Sequence, residues 1–393
     1  YESLGLSVDG DANTAVGYRA LKNYEDGDGN GHNTAIGNSS QLNATTGEFN
    51  TSLGSLSMGL GVVTGDDNVA IGYRSGYDLT SATLNTLVGN YSGANITSAI
   101  NNTALGYNTL TSNVVGDNNT ALGFKALEDF VADTDGHGNN TAIGANAMAN
   151  VSTGTSNTAL GAHAMSAGVT TGNSNIAIGY ESGRIMVAGQ QNTLIGDYTG
   201  DALVDGSGNV AIGYRALTSE EDYGKNVAVG FQSLVTLDAG ADGYNVAVGY
   251  NAGVSMTTGI NNTFIGGLAG DAINTGSQNV ALGKAALSSA TTASDNVGLG
   301  HGALSALTTS ARNVAIGTQA LNGAMATNSN TYNVAVGYNA GTTVTTGVKN
   351  TIMGGKAGDA LTTGDNNIII GYNAAASAVG VDNETVIGTA TTT

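Results

Sequence analysis

Small and bulky side chains alternate in short bursts along this chain, and each burst ends on a glycine. The unit reads Asn, a β-branched residue, Ala, an aliphatic residue and Gly, as in Asn13-Thr14-Ala15-Val16-Gly17 and Asn33-Thr34-Ala35-Ile36-Gly37. Aligned on that glycine, the repeat recurs 22 times from Gly17 to Gly388, and 15 of the 21 intervals are 17 residues long. The other six are longer by one to four residues, and none is shorter. A spacing that accepts insertions but no deletions describes a coil of fixed perimeter from which loops bulge. Alternation over β-branched and aliphatic residues is strand chemistry. Turn signals bound about half of the bursts: Thr46-Gly47, Thr258-Gly259, Thr346-Gly347 and Thr363-Gly364 place Gly three residues ahead of the next Asn. The expected fold is all-β, a parallel β-solenoid (β-roll or β-helix) of about 22 coils with a 17-residue repeat. Residues 1–12 are expected to form a partial or capping coil, 13–388 the solenoid of 22 repeats, and 389–393 a C-terminal tail.

Successive side chains of a strand point to opposite faces, so the β-branched and Ile/Val/Leu positions share one face while Asn, Ala and Gly share the other. The bulky face is expected to fill each coil, burying residues such as Ile212 and Ile316. The small face is expected to be solvated, or to form the seam of a bundle where a second backbone approaches. Asn stands four residues before the ladder glycine in 21 of 22 copies, with Glu384 the exception. The pairs Asn13 and Gly17, Asn33 and Gly37, Asn140 and Gly144, Asn262 and Gly266, Asn333 and Gly337, and Asn367 and Gly371 represent this structural ladder. Asn at one place in every coil is expected to stack as an amide ladder. Leu87, Leu194, Phe264 and Ile352 replace the usual Ala, each after a coil reading Gly-Tyr-x-(Ser/Ala)-Gly. That correlation reads as packing, the glycine making room for the large side chain. With strands about 4.8 Å apart, 22 coils would make a rod of roughly 100 Å.

Composition sharpens this picture. The 393 residues include 61 Gly but no Pro, Cys or Trp and only 5 Phe, so any core must be thin. A chain committed to continuous strand pairing has reason to avoid proline, which lacks the ladder donor. A net charge of −19 opposes binding to nucleic acid and to anionic membranes. No apolar run approaches the roughly 20 residues of a membrane-spanning helix, and no membrane insertion is expected. There is no signal-peptide pattern, and Tyr at position 1 suggests a processed product or a piece of a longer chain.

Candidate chemistry is sparse. His32, His137, His163 and His301 fall in different coils, none at metal-ligand spacing from another. Carboxylates cluster at Glu25, Asp26 and Asp28, at Glu128 to Asp135, at Glu220 to Asp222, and at Asp238 and Asp242. Most of these lie in over-length coils and read as solvated acidic loops, with Asp133 and Asp135 the weak candidates for a cation such as Ca2+. No catalytic residue and no cofactor are expected, because catalysis needs groups of shifted pKa converging in a concave pocket. Eight Tyr directly follow ladder glycines, with Phe124 and Phe231 in the same slot. Such a row covers core or, if exposed, stacks on sugar rings. The repeated Thr is assigned to the interior, which argues against an ice-binding face.

The core Asn-Thr-Ala-Ile-Gly, as in Asn33 to Gly37 and Asn140 to Gly144, is similar to the head repeats of trimeric autotransporter adhesins. The longer pattern, clean from Asn333 to Asn350, resembles repeats of phage tail fibres that precede an endosialidase-type intramolecular chaperone. The segment from Asn366 to Gly388 resembles the junction before that chaperone. These resemblances imply a homotrimer and a structural, adhesive fibre shaft that is extracellular, on a virion tail fibre or a cell surface. It would hold or form a receptor-binding surface for host attachment, with a host glycan or protein receptor as partner. A bacterial cell-surface adhesin or a purely structural extracellular filament is the alternative, and none of these is an enzyme.

Overall fold

The computed structural model describes residues 2–5, 12–25, 31–132, 138–325 and 330–388. They contain 22 strands of three residues each, and the chain divides into two compact units. Tyr1–Asp205 carries eleven strands, β1 (Thr14–Val16) to β11 (Thr193–Ile195). Gly206–Thr393 carries the other eleven, β12 (Val210–Ile212) to β22 (Thr385–Ile387). Each unit is a parallel β-solenoid with one repeat per coil. Equivalent residues pair across coils: Thr14 with Thr34, Ala15 with Ala35, Val16 with Ile36, and in the second unit Val210 with Val227. Beyond each triplet the ladder continues, the Gly37 N–H donating to the Val16 carbonyl at 2.8 Å.

The strands alternate as expected, but the opposite face points inward. Ala35, Ala70, Ala104, Ala211 and Ala315, each the middle residue of its strand, are fully buried, whereas Ile316 is 40% exposed and Val16 56%. Ile212 is half-buried beside the enclosed Ala211. The physical reason is the narrowness of a 17-residue coil, which has room for one large side chain between the strand and the turn that faces it. The turn wall supplies it from the residue four after the ladder glycine: Leu21, Met58, Leu110, Leu127 and Met148 are fully buried. These residues need a methyl group opposite them, and the strand provides Ala.

Leu87, Leu194, Phe264 and Ile352, four of the strand residues larger than Ala at this position, obey the same volume rule. A Cβ added to Gly76 or Gly93 would lie 3.1 or 2.8 Å from a Leu87 methyl, and one added to Gly253 or Gly270 would lie 3.0 or 2.8 Å from the Phe264 ring. Gly183 and Gly200 enclose Leu194, and Gly341 and Gly358 enclose Ile352, in the same way. Thus in these four coils, where the strand contributes the large group, the turn of the same coil and of the coil before it contribute glycine.

The ladder glycines close each coil on the next. Gly37 holds φ +139, and a Cβ there would stand 2.4 Å from the carbonyl oxygen of Gly54. Both the left-handed backbone and the lack of space require glycine.

Candidate functional site

The ladder asparagines are interior, structural groups. In the first unit, Asn102 donates its backbone N–H to Asn85 Oδ1 at 2.9 Å, and its own Oδ1 accepts from the Asn119 N–H at 2.9 Å. The same bond joins Asn33 to Asn13, Asn140 to Asn119, Asn262 to Asn245 and Asn367 to Asn350. Each amide also ties the strand to the turn ahead. Asn33 Nδ2 donates to the Gly47 carbonyl at 2.8 Å, and Asn333 Nδ2 to that of Gly347 at 2.8 Å. Two recurrent features of the repeat, the Asn and the Gly three residues before the next Asn, are therefore hydrogen-bond partners across one coil.

Outside the coil, two features repeat. The strands present a file of aliphatic side chains, Leu53, Leu105, Leu122 and Leu160 in the first unit and Leu282, Ile316 and Met353 in the second, all exposed. Beside the strands runs an aromatic edge. In the first unit Tyr73 meets Tyr91 edge-on at 5.4 Å, Tyr91 meets Tyr107 at 6.3 Å, and Tyr107 stacks on Phe124 at 5.7 Å and 10°. A second file begins with His163, edge-on to Tyr180 at 6.0 Å, and continues to Tyr198 at 5.4 Å. In the second unit Tyr214, Phe231 and Tyr250 stack at 5.4 and 5.3 Å. Cations cover some rings: the Arg74 guanidinium lies 5.3 Å from the Tyr73 ring centre and 4.9 Å from that of Tyr77.

Between the two files of the first unit the edge opens into a shallow cleft of about 420 Å³, lined by Lys125, Glu128, Asn146, Asn150, His163 and Ser166 over alanines 149 and 167. Its origin is local. Ala145 and Ala162 follow their ladder glycines in a slot that Tyr or Phe fills in ten of the 22 coils, so no ring of that slot stands between Phe124 and Tyr180. Five residues after the glycine, Ala149 and Ser166 fall between Glu128 and Arg184 of the flanking coils. Lys125 and Glu128 form an ion pair at 3.0 Å at one end. Sequence reading singled out His163 only as an unsuitable metal ligand and passed over Asn146, Asn150 and Ser166; two successive slots without a ring occur elsewhere in the chain, so they gave no distinct signal.

The acidic clusters separate in the structure. Glu220 is buried rather than solvated, its carboxylate accepting the Tyr223 N–H at 3.3 Å and the Ala239 N–H at 3.4 Å. Burial pushes its pKa up to about 7 against the pull of those two donors, with Asp238 and Asp222 adding to the rise. Glu221 and Asp222 are exposed. Asp242 pairs with Lys225, whose ammonium it pushes up to about 12 with help from Tyr244, and Asp242 itself is held below the usual carboxylate range. The candidate cation residues Asp133 and Asp135, together with Asp26, Asp28 and His137, lie outside the described residues. Among the described residues no three His, Asp or Glu side chains converge as a metal site would require. His32 stacks on Phe49 at 5.1 Å. No protein-family model matches the chain, and no curated protein matches its sequence.

Proposed function

We propose that the chain is a structural and adhesive fibre element, the shaft of a phage tail fibre that works outside the cell as a homotrimer and holds or forms a receptor-binding surface for host attachment. The observation that carries this reading is the outward aliphatic file. A coil that buries Ala and leaves Leu, Ile and Val exposed or half-buried at the same strand position in repeat after repeat leaves an apolar stripe along each unit, and stripes of that kind mark association sites. The seam between chains is then the bulky face, in place of the small face that sequence reading favoured. Ser, Thr, Asn and the surplus of acidic residues cover other parts of the surface and suit an extracellular, solvated shaft. A repetitive convex coil offers attachment and spacing rather than turnover, and the chain is proposed to act without catalysis.

Light scattering on the purified chain tests this directly. The expected mass is that of three 38.8 kDa chains. Replacing Leu105 and Leu122 together by Glu, which touches no enclosed side chain, is expected to yield monomers that keep their strand signal in circular dichroism. A monomeric parent protein would remove the proposal.

A second reading draws on the same corrected face. Nine of the eleven strands in the first unit begin with an outward Thr, against three of eleven in the second. The interior assignment that argued against ice binding therefore no longer holds, and a regular Thr array is what such a face needs. Thermal hysteresis, with no self-association through the strands, would favour ice binding over the fibre.

A further inference from the structure

We infer that the cleft between the two aromatic files of the first unit binds a neutral pyranose oligosaccharide. The inference rests on the adhesive reading above and assigns it a ligand class and a place. A pyranose offers an apolar C–H face and a rim of hydroxyl groups, so its site needs a ring or small apolar floor together with amide, hydroxyl or carboxylate partners. The cleft has this composition. Its floor is Ala149 and Ala167, and its walls carry the Asn146 and Asn150 amides, the His163 ring and the Lys125–Glu128 pair.

Several of these groups have capacity to spare. Asn150 uses its Nδ2 on the Ser166 carbonyl at 2.7 Å, which leaves its Oδ1 without a partner among the described residues. The side chains of Asn146 and His163 make no hydrogen bond among the described residues, and Ser166, only 8% exposed, leaves its hydroxyl unbonded there. Glu128 is held in place from two sides, by Lys125 at 3.0 Å and by Asn108 Nδ2 at 3.1 Å, as a carboxylate that accepts from a diol should be.

Charge selects within the carbohydrates. Lys125 and Glu128 cancel, so the cleft has no net cation to attract a uronic or sialic acid, and the chain's −19 repels one. The rings that border the cleft extend the site in both directions. Phe124, 49% exposed, stands below Lys125, whose ammonium lies 5.7 Å from the ring centre, and Tyr180 backs His163. An oligosaccharide running along the edge would meet aromatic faces on either side of the sugar seated in the cleft.

The test is saturation-transfer NMR on the full chain with neutral trisaccharides built from glucose, galactose, mannose and N-acetylglucosamine, alongside 3′-sialyllactose. Transfer to at least one neutral trisaccharide is expected, with binding at least tenfold weaker in His163→Ala combined with Asn146→Ala. Ala167→Trp, which fills an exposed part of the cleft, is expected to abolish it, while circular dichroism of both variants stays that of the parent. No transfer to any neutral probe overturns the inference, as does transfer unchanged in both variants or confined to sialyllactose. Mass measured on the same sample keeps the two proposals apart. A trimer without transfer contradicts the cleft alone, and a monomer with transfer contradicts the trimeric fibre alone.

Discussion

At the residue scale, every conserved feature of the repeat answers one geometric demand of a 17-residue coil. The ladder glycine lets successive coils touch at a point where a Cβ would meet a carbonyl 2.4 Å away, as at Gly37. The ladder asparagine is enclosed and uses both ends of its amide, so its burial is offset by hydrogen bonds to the next Asn and to the turn glycine. Glu220 is the residue least at ease. As an acid whose folded pKa, about 7, stands above its ordinary 4.5, it binds its proton more tightly in the folded state than in the unfolded one. Its contribution to stability is therefore full below pH 4.5 and lost as the pH rises from there through 7, a swing of about 3 kcal/mol. Glu220→Gln keeps one acceptor, for either the Tyr223 or the Ala239 N–H, and removes the ionisation. Thermal melts at pH 5 and pH 8 are expected to show the variant gaining several degrees over the parent at pH 8 and little at pH 5. An equal effect at both pH values would mean that the carboxyl is not enclosed.

At the scale of the strand and its turn, the repeat length, the strand positions, the amide ladder and the large-for-small exchanges were all legible in the sequence. Which face points inward was not. Alternation divides a strand into two faces without saying which is enclosed, and the usual preference for bulky residues inside decided the expectation wrongly. The information was present in another form. Leu87, Leu194, Phe264 and Ile352 each coincide with glycines in the turn of their own coil and of the one before. Such compensation of volume has a physical cause only in a closed space, so it identifies the Ala face as the interior. The cleft was less legible, because it arises from small residues, Ala145 and Ala162, in a slot that varies along the chain, and from turns of adjacent coils that only the fold aligns. The corrected register reverses a mutational expectation. Ala211→Asp puts a charge and extra volume into the filled interior and is expected to cost at least about 3 kcal/mol, whereas Ile212→Asp should leave the coil folded. Hydrogen exchange at the amides of Val227 to Val229, which pair with this strand, reads the difference. Greater loss of protection in Ile212→Asp would restore the original register.

At the scale of the whole molecule, each unit is a stack in which a coil contacts chiefly its neighbours, so stability is distributed rather than concentrated in one core. What distinguishes the surface is that the same chain presents an aliphatic file, an aromatic edge and a strong negative charge. We propose that the first serves contact between chains and the second contact with a ligand, while the third suppresses indiscriminate association. The central claim is that the outward strand face is covered by identical chains. The protein has no cysteine, so a single introduced thiol reports on its own surroundings. Leu105 ends the strand Thr103–Leu105 on the aliphatic file, and Asn95 is exposed on a turn of the neighbouring coil. The decisive measurement is cross-linking of Leu105→Cys with a short bifunctional maleimide at low protein concentration, compared with Asn95→Cys. Rapid formation of covalent dimers by Leu105→Cys, the most that one thiol per chain and a two-armed reagent can link, with Asn95→Cys remaining single chains, is the predicted result. Single chains from both, or equal linkage at both positions, would contradict it.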